Sequence, residues 1–209
     1  MKRKVIIIFF LLAPIVDLFY SCCPCDIETK YISYSHKSLL LKNLDNSGEK
    51  AIETGNLQLN KNAYGIRLYL TREKNTVACI KRINSIFIQS AYATSCECRP
   101  EYIYNASDSI TSIRVFTLYK FDYQHPENSD ITNYFKVRQT YSDVDEYIES
   151  IYYTNEKDWR WFEPIETELE IDLLLMTAPT TDNNHKFKIQ IELSDGRILE
   201  QETTEIQLL

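Results

Sequence analysis

From Lys186 to Leu193 the chain sends every second residue toward a core: Phe187, Ile189, Ile191 and Leu193 stand between Lys186, Lys188, Gln190 and Glu192. A period of two belongs to a strand with one buried face, whereas a helix would scatter these four side chains around its circumference. Ser194-Asp195-Gly196 follows, a turn signal because Asp-Gly accepts the positive φ values of a tight hairpin. Arg197 to Leu208 then reads as the returning strand. Glu166 to Met176 sets Glu168, Glu170 and Asp172 against Leu169, Ile171 and Leu173 before turning fully apolar, and Gly65 to Thr71 alternates in the same way. Ile83 to Gln89 and Ser109 to Leu118 are further strand candidates, and Tyr31 to Tyr34 alternates weakly. Fifteen tyrosines and nine phenylalanines suit such strands, which accept aromatic side chains on a pleated, half-buried surface.

Between these runs, Asn43 to Lys50 reads as a polar loop with a turn at Ser47-Gly48, and Ser95 to Ser107 as a loop containing cysteine and proline. Two stretches have helical spacing. Ser129 to Phe135 suits a single turn capped by Ser129. Ser142 to Tyr152 places Asp145 and Glu146 in a first turn and repeats Val144, Tyr147, Ile148 and Ile151 along one face. The sum predicts a mainly β chain, an antiparallel β-sandwich of immunoglobulin-like type with one or two short helical insertions; a half-open barrel is the runner-up.

The N-terminus carries a different message. Met1-Lys2-Arg3-Lys4 is a basic lead into the apolar run Val5 to Val16, which is too short to cross a bilayer core as a helix but long enough for an export signal. Leu18-Phe19-Tyr20-Ser21-Cys22 resembles a lipobox, where a small residue precedes a cysteine that takes lipid through its thiol. Tyr20 and Phe19 are bulkier than that pattern favours. Residues 1–21 are therefore expected to be a signal peptide, 22–30 a lipidated anchor and tether, and 31–209 the β-sandwich domain. The partner so implied is a membrane, through lipid on Cys22, and the expected location is the bacterial outer membrane, facing the periplasm or the surface.

Export would put the remaining thiols where disulfides persist. Cys79 and the Cys96-Glu97-Cys98 pair bracket a strand-like stretch, so a bridge from Cys79 to Cys96 or Cys98 is expected, worth roughly 3 kcal/mol in the chain-entropy model. The other member of the pair could reach Cys23 or Cys25. One-residue spacing fits neither a zinc site nor a thioredoxin-type pair. The formal charge of −7 leaves no footprint for a nucleic acid, and removing a leader that holds Lys2, Arg3 and Lys4 makes the chain more acidic still.

Four stretches prompt a family resemblance: Phe19-Tyr20-Ser21-Cys22-Cys23, Ser90-Ala91-Tyr92-Ala93-Thr94-Ser95-Cys96, and Ile110-Thr111-Ser112-Ile113 followed by Asp130-Ile131-Thr132-Asn133-Tyr134-Phe135. With them the chain resembles the uncharacterised lipoproteins of the Bacteroides group, catalogued as domains of unknown function. The resemblance implies an outer-membrane lipoprotein with a β-sandwich and brings no active site with it.

For ligands, Trp159 and Trp161 flank Arg160 and in an extended strand would share one face about 7 Å apart, a platform on which a sugar ring can stack. Core filling is the competing use of such large aromatics. Asp122, His125, Glu127 and Asp130 gather in one loop but lack the spacing of a calcium loop. His36, His125 and His185 are the histidines, and none lies in a nucleophile motif; no glycine-rich phosphate loop is present. No cofactor or metal is called for. The expectation is a noncatalytic binding or assembly module of the envelope, with an envelope protein or glycan as partner. A glycan-binding accessory protein using Trp159 and Trp161 is the alternative, and a hydrolase with unrecognised carboxylates is a third.

Overall fold

Within the described residues the alternating runs become strands, and one of the two longest, each of 17 residues, is a stretch whose sequence alternates poorly. The computed structural model describes residues 29–80, 101–156, 160–161 and 168–209. In chain order its elements are β1 (Thr29–Asp45), β2 (Ile52–Glu53), β3 (Gln58–Leu59), β4 (Tyr64–Ile80), β5 (Glu101–Ala106) and β6 (Ile110–Thr117). A 3-10 turn at Thr132–Tyr134 leads to β7 (Phe135–Val137), β8 (Ser142–Asp143) and the helix α1 (Val144–Glu156). There follow β9 (Arg160–Trp161), β10 (Glu168–Leu175), β11 (Asn184–His185), β12 (Phe187–Leu193), β13 (Ile198–Glu202) and β14 (Ile206–Leu208).

β1 and β4 form the spine, antiparallel from Thr29 opposite Ile80 to Asp45 opposite Tyr64. Around them a large sheet runs in the order β8-β7-β10-β4-β1-β5-β9, with β2 added beside the end of β1. A second sheet, β13-β12-β6, is antiparallel, and a small third sheet runs β11-β14-β3. The large and second sheets face each other. Leu39, Leu41, Ile66, Leu68, Leu70, Ile171 and Leu173 from one meet Ile113, Val115, Phe187, Ile189 and Ile191 from the other in a single buried cluster. Each such side chain contributes roughly 1.5–3 kcal/mol on burial. The result is a mainly β, antiparallel sandwich. The strand order does not assign it to the immunoglobulin-like class, whose sheets are antiparallel throughout, because β5 runs parallel to β1.

The hydrophobic rhythm of β1 changes phase partway. Ile32, Tyr34 and His36 are buried before Lys37, whereas Leu39, Leu41 and Asn43 are buried after it. The pairing with β4 slips between His36 and Ser38, so an extra residue there turns the buried set from even to odd positions. The strand is therefore longer than its weak alternation at Tyr31 to Tyr34 suggests. It takes in Thr29 and Lys30, assigned above to the tether, and Asn43 to Asp45, assigned to a polar loop.

Other boundaries also move. Glu101 to Ala106 falls in the stretch expected to be a loop, yet it pairs with β1 and buries Ile103 and Tyr104. The returning strand after Gly196 is cut in two at Thr203. That buried side chain accepts the backbone N–H of Phe187 at 3.0 Å, and the chain then leaves the second sheet for the third. The hairpin itself uses a three-residue loop with Gly196 alone at φ 84°. Ser129 does not cap the 3-10 turn; Asp130 Oδ1 accepts the Thr132 backbone N–H at 2.8 Å instead. α1 forms as its spacing predicts, with Val144 and Ile148 in the core and Asp145 and Glu146 in its first turn. The strand expected at Ile83 to Gln89 lies outside the described residues.

Candidate functional site

Of the residues singled out for chemistry, Cys22, Cys23, Cys25, Cys96, Cys98 and Trp159 lie outside the described residues. Cys79 stands near the end of β4, opposite Lys30 of β1. Trp161 stands in β9, the edge strand of the large sheet, opposite Tyr102. Among the described residues no helix is long and apolar enough to cross a membrane.

The polar groups inside the fold fall into separate clusters. The first is built where β1 bulges. Asp108, 1% exposed, follows β5 and accepts the His36 backbone N–H on both carboxylate oxygens, at 3.0 and 2.9 Å. His36 Nδ1 lies 2.9 Å from the Asp108 carbonyl oxygen, which fixes the proton on that nitrogen. From the β12–β13 hairpin, Arg197 donates to Asp108 Oδ2 and, at 3.0 Å, to the His36 carbonyl, while Asp195 Oδ2 holds its Nε at 2.7 Å. A histidine beside a carboxylate invites a catalytic reading, but neither residue lines a described cleft, and the carboxylate is consumed in tying three segments together.

The second cluster is the loop weighed above as a cation site. Asp122 Oδ1 accepts the backbone N–H groups of Gln124 and His125 at 2.7 and 2.8 Å and the His125 ring at 2.9 Å. Burial works against the Asp122 charge, but these hydrogen bonds outweigh it and hold its pKa below the ordinary carboxylate range. Asp130 serves Thr132. Both carboxylates thus close their own loop.

His185 is fully buried, with Nε2 2.8 Å from the Asp182 carbonyl and its ring stacked on Phe187. Among the described residues its Nδ1 has no hydrogen-bond partner. Burial pushes the pKa of His185 down, and does the same to His36 against the opposing pull of Asp108. Both are therefore neutral in the fold, while the unfolded chain takes up protons below about pH 6.5. Stability is expected to be full well above that value and to fall as pH drops through it. Urea midpoints on both sides of it test this, and His185→Phe should flatten the slope; an equal slope in both proteins would exclude His185 as a source.

On the outer face of the large sheet, Asp172, 1% exposed, holds Arg67 through two bonds of 2.7 and 2.9 Å and lies 3.5 Å from Arg138. Glu170 and Glu53 complete the surround of Arg67 at 3.0 and 3.6 Å. These pairs join β4, β10 and β2.

Concave surface lies elsewhere. An open groove of about 370 Å³ runs past Leu57, Gln58, Asn184, Thr204, Glu205 and Gln207. Its polar groups are largely engaged: Gln58 with Gln207, Thr204 with Asn43, Glu205 with Tyr119. A smaller cleft of about 150 Å³ opens where β1 and β10 end and β4 and β8 begin, between Asn46, Lys61, Asn62, Tyr141 and Met176. Sequence reading passed over both. Asn60-Lys61-Asn62 carries a turn signal, but nothing near Tyr141 marks it, since its place at the cleft depends on strands distant in sequence.

A family model described as a domain of unknown function, DUF5034, matches residues 36–204, from the bulge of β1 to just past β13. Comparison with curated proteins gives no match, and neither does comparison with solved structures.

Proposed function

The chain belongs to the DUF5034 family, and for this member we propose a lipid-anchored module of the bacterial envelope that binds or assembles rather than catalyses. The observation that carries this reading is the junction Ser21-Cys22 behind a basic lead and a short apolar run, with the likeness to Bacteroides-group lipoproteins resting partly on the same residues. Cys22 precedes the first residue of β1 by seven positions, so a lipid there would hold the sandwich within about 25 Å of the membrane surface. One acyl chain binds only marginally, and the two or three carried by a lipidated cysteine make the attachment stable. The binding role draws on the histidines: His36 and His185 are committed inside the fold and His125 to its own loop, so among the described residues no histidine lines either cleft.

Intact mass spectrometry of the membrane-extracted protein tests the anchor. The expected species begins at Cys22 and carries acyl mass, and Cys22→Ala moves the protein out of the membrane fraction. An unmodified chain starting at another residue would overturn the anchor.

A further inference from the structure

We propose that the cleft between Asn46, Lys61, Asn62, Tyr141 and Met176 is a binding site for one sugar residue. The inference deepens the binding role proposed above and is independent of the anchor.

Tyr141 occupies a left-handed backbone conformation, φ 56°, that glycine or asparagine adopts with less strain than a bulky aromatic residue. Its ring does not offset that cost by burial, because 61% of the residue is exposed. The backbone is held there by the Tyr141 N–H on the Val137 carbonyl, at 2.7 Å. A tyrosine kept in a strained turn and turned to solvent at the lip of a cleft is suited to meet a ligand. Met176, also exposed, extends the apolar lip.

The polar groups point the same way. Among the described residues the side chains of Asn46, Lys61, Asn62 and Tyr141 form no hydrogen bond or ion pair, in contrast to the engaged groups of the larger groove. Two amides supply both donors and acceptors, the pattern that hydroxyl groups require. The chain has 30 acidic residues, yet none lines this cleft, so nothing there selects a cation. Its volume is about half the lower end of the usual range for drug-sized ligands, which suits one ring rather than a chain of them. An aromatic face for the C–H side of a pyranose, amides for its hydroxyls and space for a single residue together define the ligand class.

The experiment is calorimetric and saturation-transfer titration of the mature protein with glucose, galactose, mannose and N-acetylglucosamine. At least one is expected to bind, with a Kd of about 1 mM for a ligand of this size. Tyr141→Gly should weaken it about tenfold or more without lowering the melting temperature, because glycine tolerates the positive φ. Asn62→Ala should weaken it as well. Three results overturn the assignment: no probe binds, Tyr141→Gly binds as the parent does, or Trp159→Ala abolishes binding that Tyr141→Gly retains. None of these bears on the mass of the Cys22 species, so this site and the anchor fail separately.

Discussion

Replacing Asp108 with alanine is expected to lower folding stability by about 3 kcal/mol, a large share of what a domain of this size possesses. Its carboxylate is almost wholly buried and serves the His36 backbone N–H and the Arg197 guanidinium at once. The variant leaves that N–H buried without an acceptor, which costs about 1–3 kcal/mol by itself. Arg197 is nearly half exposed, so water takes over much of its lost pairing, and the total sits at the lower end for a broken buried ion pair. The bulge of β1 also loses its tie to the β12–β13 hairpin. With a urea dependence of about 2 kcal/mol/M, the midpoint should fall by roughly 1.5 M, and Asp108→Asn, which keeps one acceptor oxygen, should recover about half. A change below about 0.5 kcal/mol would mean that water already satisfies His36 and that the clamp is dispensable.

Gly65→Val is expected to cost about 3 kcal/mol for a different reason. Gly65 lies in β4 between Leu44 of β1 and Leu174 of β10, where three strands crowd together. A Cβ there would come within 2.9 Å of the Leu173 carbonyl oxygen and 3.1 Å of Leu174 Cδ2. The leucine tip can move, but the carbonyl belongs to the ladder and cannot. Melting temperature should drop by roughly 6–12 °C. Gly55→Ala is the control: nothing lies within 4 Å of its added carbon, and its stability should stay within about 0.5 kcal/mol of the parent. An unchanged melting temperature for Gly65→Val would show that β10 can shift outward at that point.

The same physics explains which parts of the fold were legible in sequence. β12 announced itself because one face is wet and the other dry over its whole length, so Phe187 to Leu193 carries the period of two without interruption. α1 was legible because Val144 and Ile148 recur on the face that packs into the core. β1 was not, since a bulge changes the phase of its buried residues and a pattern search reads a phase change as an ending. β5 hid behind Cys96, Cys98 and Pro100, which made its surroundings look like a loop. Asp172 looked like one more solvent-facing acid of an alternating strand and is instead held beneath two arginines, one of them 105 positions away in sequence. The cleft at Tyr141 was beyond reach for the same reason: backbone strain and the absence of hydrogen-bond partners are three-dimensional facts.

β1 leads to the cleft from the end of the domain that follows Cys22 in sequence. The cleft opens beyond its last residue, while Cys22 lies before its first, and a strand of this length spans about 50 Å. A pull between those ends therefore acts along the strand axis. The bonds from β1 to β4 lie across that axis, and β5 adds a further set beside the N-terminal portion. Such bonds are loaded together, in shear, and do not open one after another as a peeled strand does. The ladder slips at two places, between Ser33 and Tyr34 and between His36 and Ser38, and Asp108 and Arg197 pin the second from the side. Whatever holds the N-terminal end, tension on it would reach the far end through β1, paired with β4 along its length.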